Sequence, residues 1–223
     1  MPVRTGTGLR GRSRRGNTII EFGLVAIFLV PLFLGTINLG LSLGYNLQVS
    51  QISRDAGHMY VRQLDFSLDA SKEIVVRMAS GMGMTKTGGK GVVLLTKVLY
   101  IGDDQCAAGG LAQGSCPNWG RAVIVQRHTI GDTSLRTSSI GSPPAGLILT
   151  GPDANSGLKA GDILPSDYLT QGSVVTTAAE ALLPGMLAGE TAYIVESYFK
   201  TPDWSLKQSY TQTAEGVYAR AVF

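Results

Sequence analysis

The chain has 223 residues, a length that accommodates one sizeable domain together with a membrane anchor. Only 16% of the residues are charged and 29 are glycine, so the soluble part is expected to be rich in turns and short strands. Five arginines among the first fifteen residues account for the net charge of +3, and the remaining chain has a net charge of about −2. We therefore expect no nucleic-acid-binding surface, because such a surface needs basic residues spread over a folded face.

The chain begins with a basic segment that leads directly into an apolar run. The arginines of this segment are Arg4, Arg10, Arg12, Arg14 and Arg15. Residues 22–45 then form 24 consecutive positions without a charge. As a helix this run is about 36 Å long, enough to cross a hydrocarbon core of about 30 Å. A cleaved secretory signal is the alternative, but its apolar core is shorter, roughly 7 to 15 residues. The basic segment predicts a cytoplasmic N-terminus, with the bulk of the chain on the other side of the membrane.

Small and polar residues within this span predict contacts with other helices. Thr36, Gly40 and Gly44 recur every fourth residue, and such a ridge lets a second helix approach closely in lipid. Asn38 adds a hydrogen-bonding group, and Pro31 is expected to bend the helix because it removes a backbone donor. The alternative is that glycine is simply frequent in membrane helices.

The helical pattern continues beyond the span, which predicts one long helix over 18–64, amphipathic in its second part. Its apolar face is formed by Tyr45, Val49, Ile52, Ala56, Met59 and Gln63. Ser67 is predicted to cap a second helix over 68–80.

Cys106 and Cys116 are the only cysteines, and in an extracytoplasmic compartment such a pair is expected to form a disulfide. Two free thiols are the alternative. A zinc site is disfavoured because tetrahedral sites need four ligands and no histidine lies nearby in the sequence.

Four segments rich in β-branched and aromatic residues predict strands, at 91–101, 121–130, 191–200 and 215–223. The expected fold is α+β, with a small antiparallel sheet packed on the long helix. Between the second and third strands, a glycine- and proline-rich insertion over 131–190 is predicted to be mostly irregular. A short helix over 176–187 is expected near its end, terminated or kinked at Pro184.

Several motifs that superficially suggest chemistry are better explained as ordinary structure. The stretch 83–91 lacks the glycine and Ser/Thr positions of a phosphate-binding loop and is predicted to be a turn. In the stretch 153–162 the glycine comes one position too early for a calcium loop. His58 and His128 have no recognisable nucleophile beside them. We therefore expect no catalytic residues, no metal site and no cofactor, and a protein that is not an enzyme.

The stretch "RRGNTIIEF" at residues 14–22 places a glutamate five residues after a glycine, immediately before the apolar helix. This arrangement resembles the type IV prepilin processing motif. The wider stretch to about residue 61 resembles the TadE-like pseudopilin family in its "RG" at 15–16, "EF" at 21–22, "VP" at 30–31 and "RDAGHMY" at 54–60.

The resemblance implies cleavage between Gly16 and Asn17 by a prepilin peptidase. Cleavage leaves an α-ammonium on Asn17 one helical turn from Glu21, where the positive end of the helix dipole also lies. In a pilin-like assembly the partner of Glu21 is expected to be the ammonium of a neighbouring subunit. The alternative for Glu21 is a side chain that reaches headgroup water at the membrane surface.

The expected organisation is a basic cytoplasmic leader at 1–16, a membrane-spanning and amphipathic helix at 17–64, and an extracytoplasmic domain at 65–223. The resemblance implies a minor pilin or assembly factor of a tight-adherence (Flp-type) pilus in a bacterial inner membrane. Its implied partners are other pilin-like subunits, the assembly machinery and the prepilin peptidase. The alternative function is an uncleaved, membrane-tethered periplasmic binding or scaffold protein, and a secreted hydrolase is a weaker third possibility.

Overall fold

A computed structural model of the chain describes residues 15–201 and 216–223. Residues 1–14, which make up most of the predicted basic leader, therefore lie outside the described residues. The chain divides into two compact units, the first ending at Leu43 and the second running from Gly44 to Phe223.

The described residues form five α-helices and four strands. The helices are α1 (Arg15–Val61), α2 (Asp69–Met78), α3 (Asp103–Ala108), α4 (Pro165–Thr170) and α5 (Thr177–Leu182). The strands are β1 (Gly91–Tyr100), β2 (Ala122–Gly131), β3 (Thr191–Lys200) and β4 (Gly216–Val222). The α+β fold class with a small antiparallel sheet is confirmed.

Helix α1 is continuous and carries the predicted apolar span. An 18-residue window of it has a mean hydropathy of 2.3, and none of that window is buried. The helix is thus long and apolar enough to cross a membrane. Pro31 lies inside it.

The C-terminal end of α1 comes three residues earlier than predicted, because the backbone turns at Gln63. Gln63 has a φ of 62°, and the amide of Leu64 donates to the carbonyl of Met59 at 3.1 Å, which makes a Schellman motif. The prediction that Ser67 caps the next helix is wrong. Leu68 occupies the N-cap of α2, and the amide and hydroxyl of Ser67 donate to Asp65 Oδ1 at 2.9 and 2.5 Å.

The four strands pair antiparallel in the order β2-β1-β3-β4. Each predicted strand agrees with the structure to within one residue at either end, because each is a β-branched run bounded by turn-forming residues. Only the middle strands β1 and β3 are paired on both sides within this sheet. The outer edge of β2 is covered by the segment that follows it, whose backbone forms bridges to Val123 and Gln126.

Two hydrophobic clusters lie on opposite faces of the sheet. The first joins α1 and α2 to the sheet through Val49, Ile52, Ala56, Phe66, Val75, Val93, Leu95, Val195 and Phe199. The second joins the sheet to the region between β2 and β3 through Ile124, Ile140, Ile163, Leu169, Val174 and Ile194. The amphipathic face predicted for α1 is therefore a core-forming face, although its last predicted member, Gln63, lies beyond the helix.

The segment 131–190 is more ordered than the sequence suggested. It contains α4, α5 and two 3₁₀ turns, and it contributes buried residues to the second cluster. The predicted helix over 176–187 is limited to Thr177–Leu182. Thr176 caps it through a hydroxyl that accepts from the amide of Ala179 at 3.1 Å. Pro184 lies beyond its end, since the residue before a proline disfavours helical backbone.

Candidate assembly surface on the N-terminal helix

The residues predicted for processing lie in the first turns of α1. The backbone of Gly16 and Asn17 is helical, and Glu21 follows one turn later as an exposed residue. Glu21 lies four residues after Asn17, about one helical turn further along α1.

The first unit exposes an almost uninterrupted apolar surface. The large apolar side chains from Ile19 to Leu43 are between 43% and 74% exposed. Soluble monomeric proteins rarely expose a contiguous apolar patch of this extent, and such patches mark contacts with a membrane or with other proteins. The exposed part of α1 thus has the kind of surface that contacts a membrane or other proteins.

The four predicted helix-packing residues lie on two faces of α1 rather than on one. Thr36, Gly40 and Gly44 share a face, and a Cβ added at either glycine would meet no other atom within 4 Å. The Thr36 hydroxyl donates to the carbonyl of Phe33 at 2.8 Å. At about 100° per residue, Asn38 lies about 160° around the helix from Thr36 and Gly40. Asn38 therefore cannot contact the partner that the small-residue ridge contacts.

The side-chain oxygen of Asn38 is shielded from solvent and lacks a hydrogen-bond partner within the described part of the chain. Its Oδ1 is inaccessible to solvent and has no hydrogen-bond partner among the described residues. An unpaired amide in an apolar environment is costly, which favours a hydrogen bond from a second helix at this position.

The second part of α1 is fixed to the sheet. Val49, Ile52 and Ala56 are at most 2% exposed in the first cluster. The hydroxyl of Tyr45 donates to the carbonyl of Lys200 at 2.7 Å, at the end of β3. Within the second unit the helix is therefore an integral part of the domain rather than a detachable anchor.

Cys106 and Cys116 are bonded to each other, with the two sulfur atoms 2.04 Å apart, as predicted. Cys106 lies in α3, a helix that the sequence analysis did not predict, and both cysteines are buried in the second cluster. The bond ties α3 to the turn before β2.

The remaining predicted positions do not come together into one site. His58 packs against the ring of Phe223, with ring centroids 4.8 Å apart. His128 lies beside Tyr60 and Phe66, on the face of the sheet that packs against α1 and α2. Residues 83–91 form a tight turn, in which the amide of Lys90 donates to the carbonyl of Gly83 at 2.8 Å.

The 153–162 stretch closes on itself through a short turn around one of its acidic residues. Asp153 accepts from the amide of Asn155 and the hydroxyl of Ser156 at 3.0 and 2.8 Å. These bonds hold the pKa of the Asp153 carboxyl below its ordinary value. The arrangement is that of an ordinary Asx turn.

A buried carboxylate that the sequence analysis missed holds the region after β2 to the sheet. Glu196 in β3 is 2% exposed and accepts hydrogen bonds from Ser138, from the amide and hydroxyl of Ser139, and from Tyr218. Burial opposes ionisation of Glu196, but these hydrogen bonds outweigh it and hold the pKa below its ordinary value. In the sequence the only signal is a glutamate in the middle of a strand rich in β-branched and aromatic residues.

No family model, curated protein or solved structure matches this chain.

Proposed function

We propose that this protein is a TadE-like pseudopilin, a minor subunit or assembly factor of a tight-adherence type IV pilus. The supporting observation is the double role of α1. It is one continuous helix, Arg15–Val61, whose first part exposes apolar side chains and whose second part forms the core of a four-stranded domain. Such a helix can anchor a precursor in a bilayer and later pack against equivalent helices without refolding the domain.

In this proposal Glu21 guides assembly. Cleavage after Gly16 gives Asn17 a positive terminus, and a carboxylate one turn into an apolar helix can pair with the terminus of an adjacent subunit. The pair fixes the axial register between subunits because an unpaired charge in an apolar environment is costly.

The proposed location is a bacterial inner membrane, crossed once, with the N-terminus in the cytoplasm. The domain that follows α1 lies in the periplasm or outside the cell, where its disulfide is stable. The partners are other pilin-like subunits, the pilus assembly machinery and a prepilin peptidase. In this role the protein has a structural function and is not an enzyme.

The decisive experiment measures the mass and N-terminal sequence of the chain recovered from membranes and from sheared surface filaments. We expect a mature chain that begins at Asn17. Replacement of Gly16 by leucine is expected to leave the full-length precursor, because a side chain at the cleavage site obstructs close approach of the backbone. Gly23→Leu is the matched control, since Gly23 lies in open space on α1 and the variant is expected to be processed normally.

The role of Glu21 is tested separately by Glu21→Gln, which keeps the size and removes the charge. We expect normal cleavage but weaker co-purification with partner subunits, while Glu73→Gln on the exposed surface of α2 leaves both unchanged. An uncleaved wild-type chain that is absent from filaments supports instead a membrane-tethered scaffold protein.

A further inference from the structure

A polar cavity of about 230 Å³ lies between the C-terminal end of α1 and the sheet. Five separate parts of the chain line it: the end of α1 with the turn after it, each of the strands β1, β2 and β3, and the segment after β2. The residues that matter to its chemistry are Tyr60, Gln63, Lys97, Gln126, His128 and Lys159. Nothing in the proposed pilus function uses this cavity.

The sheet is irregular where it forms the floor of the cavity. Lys97 pairs with Gln126, whereas the next residue of β1, Val98, pairs with Ile124. Val125 is therefore an extra residue in β2, a β-bulge. Bulges bend a strand and redirect side chains, and they are common beside binding sites. Both residues at this bulge, Lys97 and Gln126, line the cavity.

The rim of the cavity carries an unusual backbone conformation. Gln63, with a φ of 62°, is the one non-glycine residue with positive φ in the part of the chain that the structure describes. Glycine is the residue usually found at this position of a Schellman motif, because it has no Cβ to strain. A glutamine here costs stability but places a side chain at the cavity. Strained backbone conformations of this kind are found preferentially at functional sites.

The acceptors around the cavity are already occupied by groups of the protein itself. The Tyr60 hydroxyl donates to Gln126 Oε1 at 2.7 Å, and Gln126 Nε2 donates to Asp162. Asp65 binds Lys159 Nζ at 2.9 Å and accepts from Ser67. Asp65, the carboxylate that lines the cavity, is thus neutralised by Lys159. Asp162 does not line the cavity, and its two oxygens accept from Gln126 and from the amide of Lys159.

The donors, in contrast, are in excess. Lys97 Nζ lies 5.7 Å from the ring centre of Tyr193 and forms no salt bridge with any carboxylate of residues 15–201 or 216–223. His128 is 6% exposed, and its burial lowers the pKa of the imidazole to about 4, although the nearby Asp162 and Asp65 act in the opposite direction. The imidazole is therefore neutral at pH 7 and carries one N–H. Among the lining residues, Lys97 therefore provides a positive charge without a salt bridge to any described residue, beside further N–H groups and the ring of Tyr193.

We propose that this cavity binds a small organic monocarboxylate, with the carboxylate on Lys97 and the organic part against the ring of Tyr193. A single unpaired ammonium matches a single negative charge. A phosphate dianion needs a second free cation, and Lys159, the other lining lysine, is neutralised by Asp65. The apolar part of the ligand meets the ring of Tyr193, which is only partly buried, whereas Tyr60 and Phe66 are 3% and 0% exposed.

The test uses the full chain in detergent micelles, with sodium acetate and sodium benzoate as probes and sodium phosphate as the competing class. Binding is followed by calorimetry and by the NMR signals of the His128 imidazole, which lies in the cavity wall. We expect saturable binding of at least one carboxylate, tighter than that of phosphate.

Two variants separate a binding role from a structural one. Lys97→Gln is expected to weaken carboxylate binding by at least about tenfold, the size of a lost hydrogen bond to a charged group. Lys86→Gln is the matched control, because Lys86 pairs with Asp69 on the surface at 3.3 Å and is expected to bind as wild type does. Gln63→Gly is expected to raise the melting temperature and yet weaken binding, a combination that a purely structural glutamine does not produce.

Absence of saturable binding by both carboxylates overturns the proposal, as does equal affinity of wild type and Lys97→Gln. Tighter binding of phosphate than of either carboxylate overturns the assigned ligand class.

Discussion

The aromatic ring of Phe223 lies directly on Gly57, so that a Cβ added at Gly57 would collide with the ring. The same ring contacts His58, and the backbone of Phe223 exchanges hydrogen bonds with Tyr193 at 2.8 and 2.9 Å. Glycine in the interior of a helix costs about 1 kcal/mol relative to alanine. The close approach of the ring explains why α1 tolerates one here.

Gly57→Ala is therefore expected to destabilise the protein by about 1–3 kcal/mol, because the added methyl overpacks the contact with Phe223. This cost is expected to exceed the gain in helix propensity from glycine to alanine. The measurement is urea unfolding of the full chain in micelles. Gly44→Ala is the control, since its Cβ meets open space, and we expect a neutral or slightly stabilising effect. In the double variant with Phe223→Ala, the cost of Gly57→Ala is expected to shrink. Additive effects in the double variant would show that the two residues are not coupled.

Glu196 predicts a specific loss of stability in acid. Its pKa in the folded protein lies below the ordinary value of 4.5, so its contribution is complete above that value and is lost as the pH falls through the folded value. Glu196→Gln resembles the protonated form. We expect it to cost about 1–2 kcal/mol at neutral pH, the scale of a hydrogen bond lost from a charged group.

The check on Glu196 is unfolding measured from neutral pH to well below 4.5. The wild-type and Glu196→Gln curves are expected to converge in acid, whereas Glu73→Gln follows the wild type throughout. A constant difference between the Glu196→Gln and wild-type curves over the whole range would contradict a role for the charge.

The disulfide provides another prediction. Cys106 and Cys116 are buried at 0% and 5% exposure, and their bond closes a loop with a sequence separation of 10. Removing such a bond typically costs about 2–4 kcal/mol. We expect the double serine variant to unfold at lower urea concentration, and wild-type protein to resist alkylation until it is reduced. Alkylation of native protein without a reductant would contradict the bond.

The sequence predicted the strands well because their signals are local. β3 was predicted at its observed bounds, since turn-forming residues precede its β-branched core and Pro202 follows it. Helix ends were predicted less accurately. α1 ends at Val61, before a left-handed glutamine at position 63 where a glycine is more usual, and Ser67 bonds to Asp65 instead of capping α2.

The polar cavity was not predictable from the sequence, because its geometry depends on distant parts of the chain. Lys97 and Gln126 meet only through the pairing of β1 with β2, and the bulge beside them depends on the register of that pairing. His128 was noticed in the sequence, but its neighbours Tyr60 and Phe66 come from α1 and the turn after it. The position of Asn38 could, in contrast, be predicted from the sequence alone. At about 100° per residue, it lies on a different side of α1 from the ridge of Thr36, Gly40 and Gly44.

The two faces of α1 give the last prediction, which depends on the proposed assembly. If the ridge of Thr36, Gly40 and Gly44 contacts a neighbouring helix, Gly40→Leu blocks close approach and weakens co-purification with partner subunits. Gly35→Leu is the matched control. It introduces the same side chain into equally open space, about 140° around the helix from Gly40.

A Cβ at either position meets no other atom within 4 Å, so the unfolding of the sheet domain is expected to be unchanged in both variants. Asn38→Leu probes the opposite face. It removes an amide whose Oδ1 has no hydrogen-bond partner in the described part of the chain, and we expect weaker association if that oxygen accepts a hydrogen bond in the assembly. Equal association of the Gly40→Leu and Gly35→Leu variants would remove the ridge as a contact. A loss in Asn38→Leu that adds to the loss in Gly40→Leu indicates two different neighbours, as a filament or bundle requires and a single tethered dimer does not.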